Sequence, residues 1–152
     1  MGALDALAAR AGPWHATYQL RGDPSFDSDS ASTATVSPML GGRFVRIDYT
    51  WSDRDKPQEG ALIVGHEPTT RVVTVVWMDT WHNGDRMMIC TGRATPGGGI
   101  DVRGTYPTGP ASPDWGWRTQ LDVDGVTWTM TMFNVTPDGQ EALAVSAAYH
   151  RP

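Results

Sequence analysis

Apolar and polar residues alternate along most of this chain with a period of two. The stretch 70–81, TRVVTVVWMDTW, is the longest that is β-branched and aromatic almost throughout, with no Gly or Pro inside it. It predicts a central strand. Val72, Thr74, Val76 and Met78 share one side and Val73, Val75, Trp77 and Asp79 the other, so neither side reads as solvated and both call for cover. The chain holds too few helical segments to supply a helix layer. An antiparallel sandwich or barrel is what remains.

The same period runs through nine further segments: 14–20, 30–37, 43–51, 59–66, 86–94, 100–106, 115–123, 126–135 and 140–149. It is cleanest over 43–51, where Arg43, Val45, Ile47, Tyr49 and Trp51 oppose Phe44, Arg46, Asp48 and Thr50. Asn83-Gly84 and Asp124-Gly125 are hairpin signals, because both residue types tolerate positive φ. Pro137-Asp138-Gly139 marks the last turn. Short links imply strands that neighbour in space as they do in sequence. Ten such strands are expected of a closed antiparallel barrel, although a two-sheet sandwich has the same spacing. Ahead of them, 2–11 carries Leu4 and Leu7 among alanines and predicts a short helix, stopped by Gly12-Pro13, that docks on one barrel end. The polar loops 21–29 and 107–114 read as the rim of an entrance.

Composition narrows the function classes. A chain of 152 residues is sized for one domain, 1–152. Seven Trp, seven Met, four Tyr and three Phe exceed what a Val and Leu core needs, and point to something flat or apolar being held. A net charge of -5 with no basic run argues against nucleic acid and anionic membrane. Cys90 is the only cysteine, so neither an internal disulfide nor a multi-thiolate metal site can form. With no basic leader and no apolar run of about 18 residues, the expected location is the cytoplasm.

Gly12-Pro13-Trp14 after a short helix, Leu40-Gly41-Gly42-Arg43-Phe44, and Gly65-His66-Glu67 followed by Trp77-Met78-Asp79 together resemble an uncharacterised bacterial family of lipocalin-like domains within the calycin group. The resemblance covers most of the chain. It implies an all-β, ten-stranded antiparallel calycin/lipocalin-like barrel with a short N-terminal helix and an internal cavity, but no reaction. In calycins a tryptophan packs at the closed end beneath an arginine from a late strand, and Arg118 and Arg151 compete for that role. The nitrobindin-like barrels, a related haem-binding calycin group, use a histidine near the chain end as axial iron ligand. That resemblance implies His150, but the longer glycine-rich entry of those proteins is interrupted here by Ala16.

Two assignments of the cavity face are open. With the mixed face inward, Arg46, Asp48, Asp79, Arg118 and Gln120 line the space beside Phe44, Trp77 and Phe133. With the other, Tyr49, Trp51, Met78, Trp117, Trp128, Met130 and Met132 do so. A shared interior, part core and part pocket, is the expectation, with Arg46, Trp77, Asp79, Arg118, Gln120 and Phe133 as ligand-binding residues for a small apolar or aromatic organic molecule, one that could carry an acidic group. An interior arginine offers paired donors to a carboxylate, or is neutralised by Asp48 or Asp79. The alternative function is an enzyme using Asp79 or His66 for acid–base chemistry, and a third is a structural module whose extra aromatics support a homodimer. His82 flanks the central strand, and His15 and His150 meet if the first and last strands close the ring. No third metal ligand, His-Glu-x-x-His, Cys-x-x-Cys or phosphate loop is present, so neither a metal nor a cofactor is assigned.

Overall fold

The structure is a computed structural model that describes residues 2–152. One short helix, α1 (Asp5–Ala8), precedes ten strands: β1 (Gly12–Leu20), β2 (Ser28–Met39), β3 (Phe44–Asp53), β4 (Lys56–His66), β5 (Val73–Asp79), β6 (Met88–Ala94), β7 (Ile100–Tyr106), β8 (Trp115–Asp124), β9 (Thr127–Val135) and β10 (Glu141–Tyr149). Each strand pairs antiparallel with the next, and β1 also pairs with β10, so the sheet closes into a barrel. The seam is short: Tyr18, Gln19 and Leu20 face Ala147, Ser146 and Val145, and an isolated bridge joins His15 to His150. Among the described residues no helix is long and apolar enough to cross a membrane.

The inward residues form one core. On β5 they are Val73, Val75, Trp77 and Asp79, alternating with half-exposed Thr74, Val76 and Met78. The outer side of this strand therefore has no second layer over it. Instead, Ile63, Val76 and Ile89 sit side by side across β4, β5 and β6 and shield one another on the outer wall. In β10 a bulge between Leu143 and Val145 shifts the phase, so that Ala144 and Val145 are both buried.

The two ends of the barrel differ. At the closed end Leu4 and Leu7 are buried against the core, and Arg10 donates to the carbonyls of Gly125 and Thr127 in the β8–β9 turn. Trp14 donates its indole N–H to the Arg10 carbonyl at 2.7 Å. The Arg151 guanidinium lies 3.9 Å from the Trp14 ring centroid and donates to the Pro13 and Ala11 carbonyls. Arg151, and not Arg118, is the arginine packed on this tryptophan. The helix itself is shorter than 2–11, because Ala11 and Gly12 already lead into β1.

Two turns depart from the expected form. Asn83-Gly84 does not make a two-residue hairpin: β5 ends at Asp79 and β6 begins at Met88, and residues 80–87 curl over the barrel mouth. The cause is Asp79, whose carboxylate takes up the backbone N–H groups of Trp81 and His82 and bends the chain before Asn83 is reached. The β3–β4 turn is tight without glycine, with Arg54 and Asp55 at φ 48° and 69°. Val126, in phase with Trp128, Met130 and Met132 by alternation, sits exposed in the β8–β9 turn.

Candidate functional site

At the open end, residues 21–27, 80–87 and 107–114 surround a cavity of about 760 Å³. The strands supply its walls through Trp77, Met88, Tyr106, Trp117 and Ala144, while Phe26, Trp81 and His82 come from the loops. Phe26 reaches Trp81 with 5.4 Å between ring centroids, so the 21–27 loop closes part of the mouth. Trp77 and Trp117 stack at 5.0 Å and 17°, forming a flat aromatic wall. Of the loops expected as the rim, 21–29 lines the cavity through Arg21, Gly22, Asp23 and Phe26 and 107–114 through Pro107, while the 80–87 loop was not expected there.

One carboxylate organises the aromatic side. Asp79, 2% exposed, accepts at Oδ2 from the Tyr49 hydroxyl at 2.6 Å and from Trp51 Nε1 at 3.2 Å. At Oδ1 it accepts the backbone N–H groups of Trp81 and His82, each at 2.9 Å. The Tyr49 oxygen in turn accepts from Trp77 Nε1 at 2.9 Å. Burying a carboxylate this deeply is costly unless donors converge on it, and here four do. Asp79 thus holds the geometry of Trp51, Trp77, Trp81 and His82 from behind the cavity wall. The phenols of Tyr49 and Tyr18 are raised well above their ordinary pKa, first by burial and then by the Asp79 charge.

His82 stands in the middle of four indole rings. Its centroid lies 4.8 Å from Trp81, 5.3 Å from Trp117, 5.5 Å from Trp77 and 5.7 Å from Trp51. Nε2 is 3.4 Å from the Tyr18 hydroxyl. Burial draws its pKa below the ordinary histidine value, while the Asp79 charge opposes that shift. The ring is therefore a neutral imidazole at pH 7, held in place through its own backbone N–H. In the sequence the signal was Asp79 placed two and three residues before Trp81 and His82, the spacing at which an Asp side chain caps backbone N–H groups.

Several predicted site residues lie elsewhere. Arg46 is on the outer wall, where Nε and a terminal nitrogen bind both oxygens of Asp48 on the same exposed face. Arg118 is also outside. It pairs with both oxygens of Asp101 at 3.0 and 2.7 Å and with Glu141 at 2.8 Å. Gln120 donates to the same Asp101, and the Arg118 guanidinium lies 5.7 Å from the centroid of the Phe133 ring. Arg46, Arg118, Gln120 and Phe133 face away from the cavity because Val45, Ile47 and Tyr49 take the inward positions of β3, Trp117, Thr119 and Leu121 those of β8, and Met130 and Met132 those of β9. Of the six ligand-binding candidates, Trp77 alone lines the cavity, with Asp79 behind it.

His66 and Asp79 are not brought together. His66 ends β4 opposite Val73, whereas Asp79 pairs with Gly60, so about 20 Å of strand separates the two levels. His150 exchanges backbone hydrogen bonds with His15 at 2.8 and 2.9 Å, and both residues are exposed near the closed end. A haem seated in the cavity would find no ligand in His150, so the residues do not fit that group as the resemblance implied. Among the described residues no group of three or more His, Cys, Asp or Glu is placed to hold a metal. Cys90 is buried among core residues, and burial raises its thiol to about 11.

A family model described as "Protein of unknown function (DUF1579)" matches residues 4–151. The chain belongs to the DUF1579 family. No curated protein matches it. Among solved structures this DUF1579 chain is similar to Rv2717c from M. tuberculosis, with a TM-score of 0.66 and 15% identity over 100% of this chain and 98% of that one. At that identity the likeness speaks for the barrel alone.

Proposed function

We propose that this DUF1579 protein uses its open end as a lipocalin-like receptacle for a small apolar or aromatic organic molecule. The observation that carries the reading is a 760 Å³ cavity whose aromatic side is held rigid by Asp79. A preorganised wall lowers the ordering cost that otherwise offsets burial, and the size suits a single organic ligand. Flat rings would lie against the Trp77–Trp117 pair, and Phe26 would cover them. Because the tryptophans form the wall, tryptophan emission is the direct readout. Aromatic acids and fatty acids are expected to quench it saturably, and an Ala142→Trp substitution, placing bulk at the mouth, is expected to abolish quenching. Absence of saturable quenching across both classes would end the proposal.

A second reading, acid–base conversion of the bound molecule, passes from Asp79 and His66 to His82, the neutral imidazole on the cavity side. Metabolite screening with purified protein tests it. Turnover that survives His82→Gln would exclude His82 as the base.

A further inference from the structure

We infer that the molecule held in the cavity is an aromatic carboxylate, oriented with its anionic group at Arg86. The inference rests on the cavity being a binding site and adds the chemistry of the ligand.

The arginines of the described residues divide into two sets. Arg10, Arg21, Arg46, Arg93, Arg103, Arg118 and Arg151 all reach a carboxylate or a backbone carbonyl. Arg43, Arg54, Arg71 and Arg86 have no such partner, and of these Arg86 is the one that lines the cavity. The other arginine of the mouth, Arg21, is neutralised by Asp29 at 2.8 Å. The carboxylate at the mouth, Asp23, accepts the backbone N–H of Ser25 at 2.8 Å on the 21–27 loop and pairs with no arginine.

Arg86 is also well placed. Its turn is tied down by Asn83 N–H to the Asp79 carbonyl at 2.9 Å, by the Asn83 side chain to the Trp77 carbonyl at 3.2 Å, and by its own N–H to the Asn83 carbonyl at 3.1 Å. A guanidinium presents a planar pair of donors to a carboxylate, and the pinned turn fixes the point from which this exposed side chain reaches. Two uncharged donors of the same cavity, side by side on β8 and β9, likewise lack an acceptor among the described residues. The indole N–H of Trp117 is buried without a partner, and Asn134 uses its oxygen for the Tyr106 hydroxyl, which leaves its amide hydrogens free. Asp79, by contrast, has no capacity left for a cationic ligand.

The test compares 2-naphthoate with 2-naphthamide, a near-isosteric neutral probe, by calorimetry at pH 8, in the wild type, Arg86→Gln and Arg86→Lys. The wild type is expected to bind the acid about tenfold more tightly than the amide, the scale of one charge-assisted hydrogen bond. Arg86→Gln removes that preference by weakening the acid far more than the amide, with an unchanged urea midpoint reporting an intact fold, and Arg86→Lys restores part of it. Equal binding of acid and amide by the wild type, or a preference that persists in Arg86→Gln, overturns the inference and leaves the receptacle standing. Binding of neither probe overturns the inference, and the receptacle falls with it if fatty acids also fail to quench the tryptophan emission.

Discussion

Gly60 and Tyr49 face each other across β3 and β4, and a methyl group on residue 60 would stand 2.2 Å from the Tyr49 hydroxyl oxygen. The missing side chain is what lets the phenol lie against Asp79. Gly60 has no positive φ to explain it, so the constraint is one of space.

Gly60→Ala is accordingly expected to destabilise the fold by about 1–3 kcal/mol, the usual cost of overpacking. The Tyr49 ring cannot swing aside without releasing both Asp79 and Trp77. Urea unfolding measures the loss, and Tyr49→Leu in the same chain should recover part of it. A Gly60→Ala protein as stable as the wild type would show that the ring is free to move.

Asp79→Asn keeps the shape of the side chain but turns one acceptor oxygen into a donor that faces other donors. Losing two hydrogen bonds to a buried charge costs roughly 3 kcal/mol. The loop 80–87 should loosen with it, seen as faster amide exchange at Trp81 and His82. If Asp79 were instead a catalytic acid, the substitution would leave stability and exchange near wild type.

His82 makes stability depend on pH in a defined window. Its pKa in the fold lies below the ordinary value, so on acidification the unfolded chain takes up a proton that the folded chain does not. Stability is complete above about pH 6.5 and declines as pH falls from there toward the lowered value. Asp101 and Glu141, held below their usual values by hydrogen bonds from Arg118, contribute only to a separate loss at lower pH. Chemical denaturation from pH 8 to 5 should therefore slope in the wild type and flatten in His82→Gln.

Arg118→Ala removes the centre of an outer network that joins β7, β8 and β10 through Asp101 and Glu141. Pairs of this exposure contribute about 0–1 kcal/mol each, and added salt should shrink the difference. Ligand affinity should not change, and Arg46→Ala should alter neither property measurably. A large effect of either substitution on binding would return these arginines to the site.

The strands were legible because alternation is a local signal. All ten segments appear in the structure, with ends displaced by a few residues. Which face of β3 and β8 turns inward was not legible, because Arg46 with Asp48 and Arg118 with Gln120 read equally well as a polar pocket lining or as an outer face. For Arg46 the partner was in plain sight, Asp48 two residues on, whereas those of Arg118 become visible only through register: Asp101 and Glu141 lie 17 and 23 residues away, the first on adjacent β7 and the second on β10, across β9. The inward set was already marked by Trp117 and Leu121, whose burial outweighs anything an inward arginine could recover. His82 was visible as a residue beside the central strand but not as a cavity residue. Asn83-Gly84 suggested a tight hairpin that would have turned it outward, and the competing Asp79 cap decided otherwise.

The seam between β1 and β10 joins residues near opposite ends of the chain, Tyr18 to Ala147 and His15 to His150. During synthesis, β1 through β9 emerge before the strand that shuts the ring, so an open, curled sheet with two unsatisfied margins precedes the closed form. Closure is the contact of longest sequence separation, and it should set the pace of refolding. The cavity mouth borrows Ala144 from β10, so a receptacle can exist only after that final step.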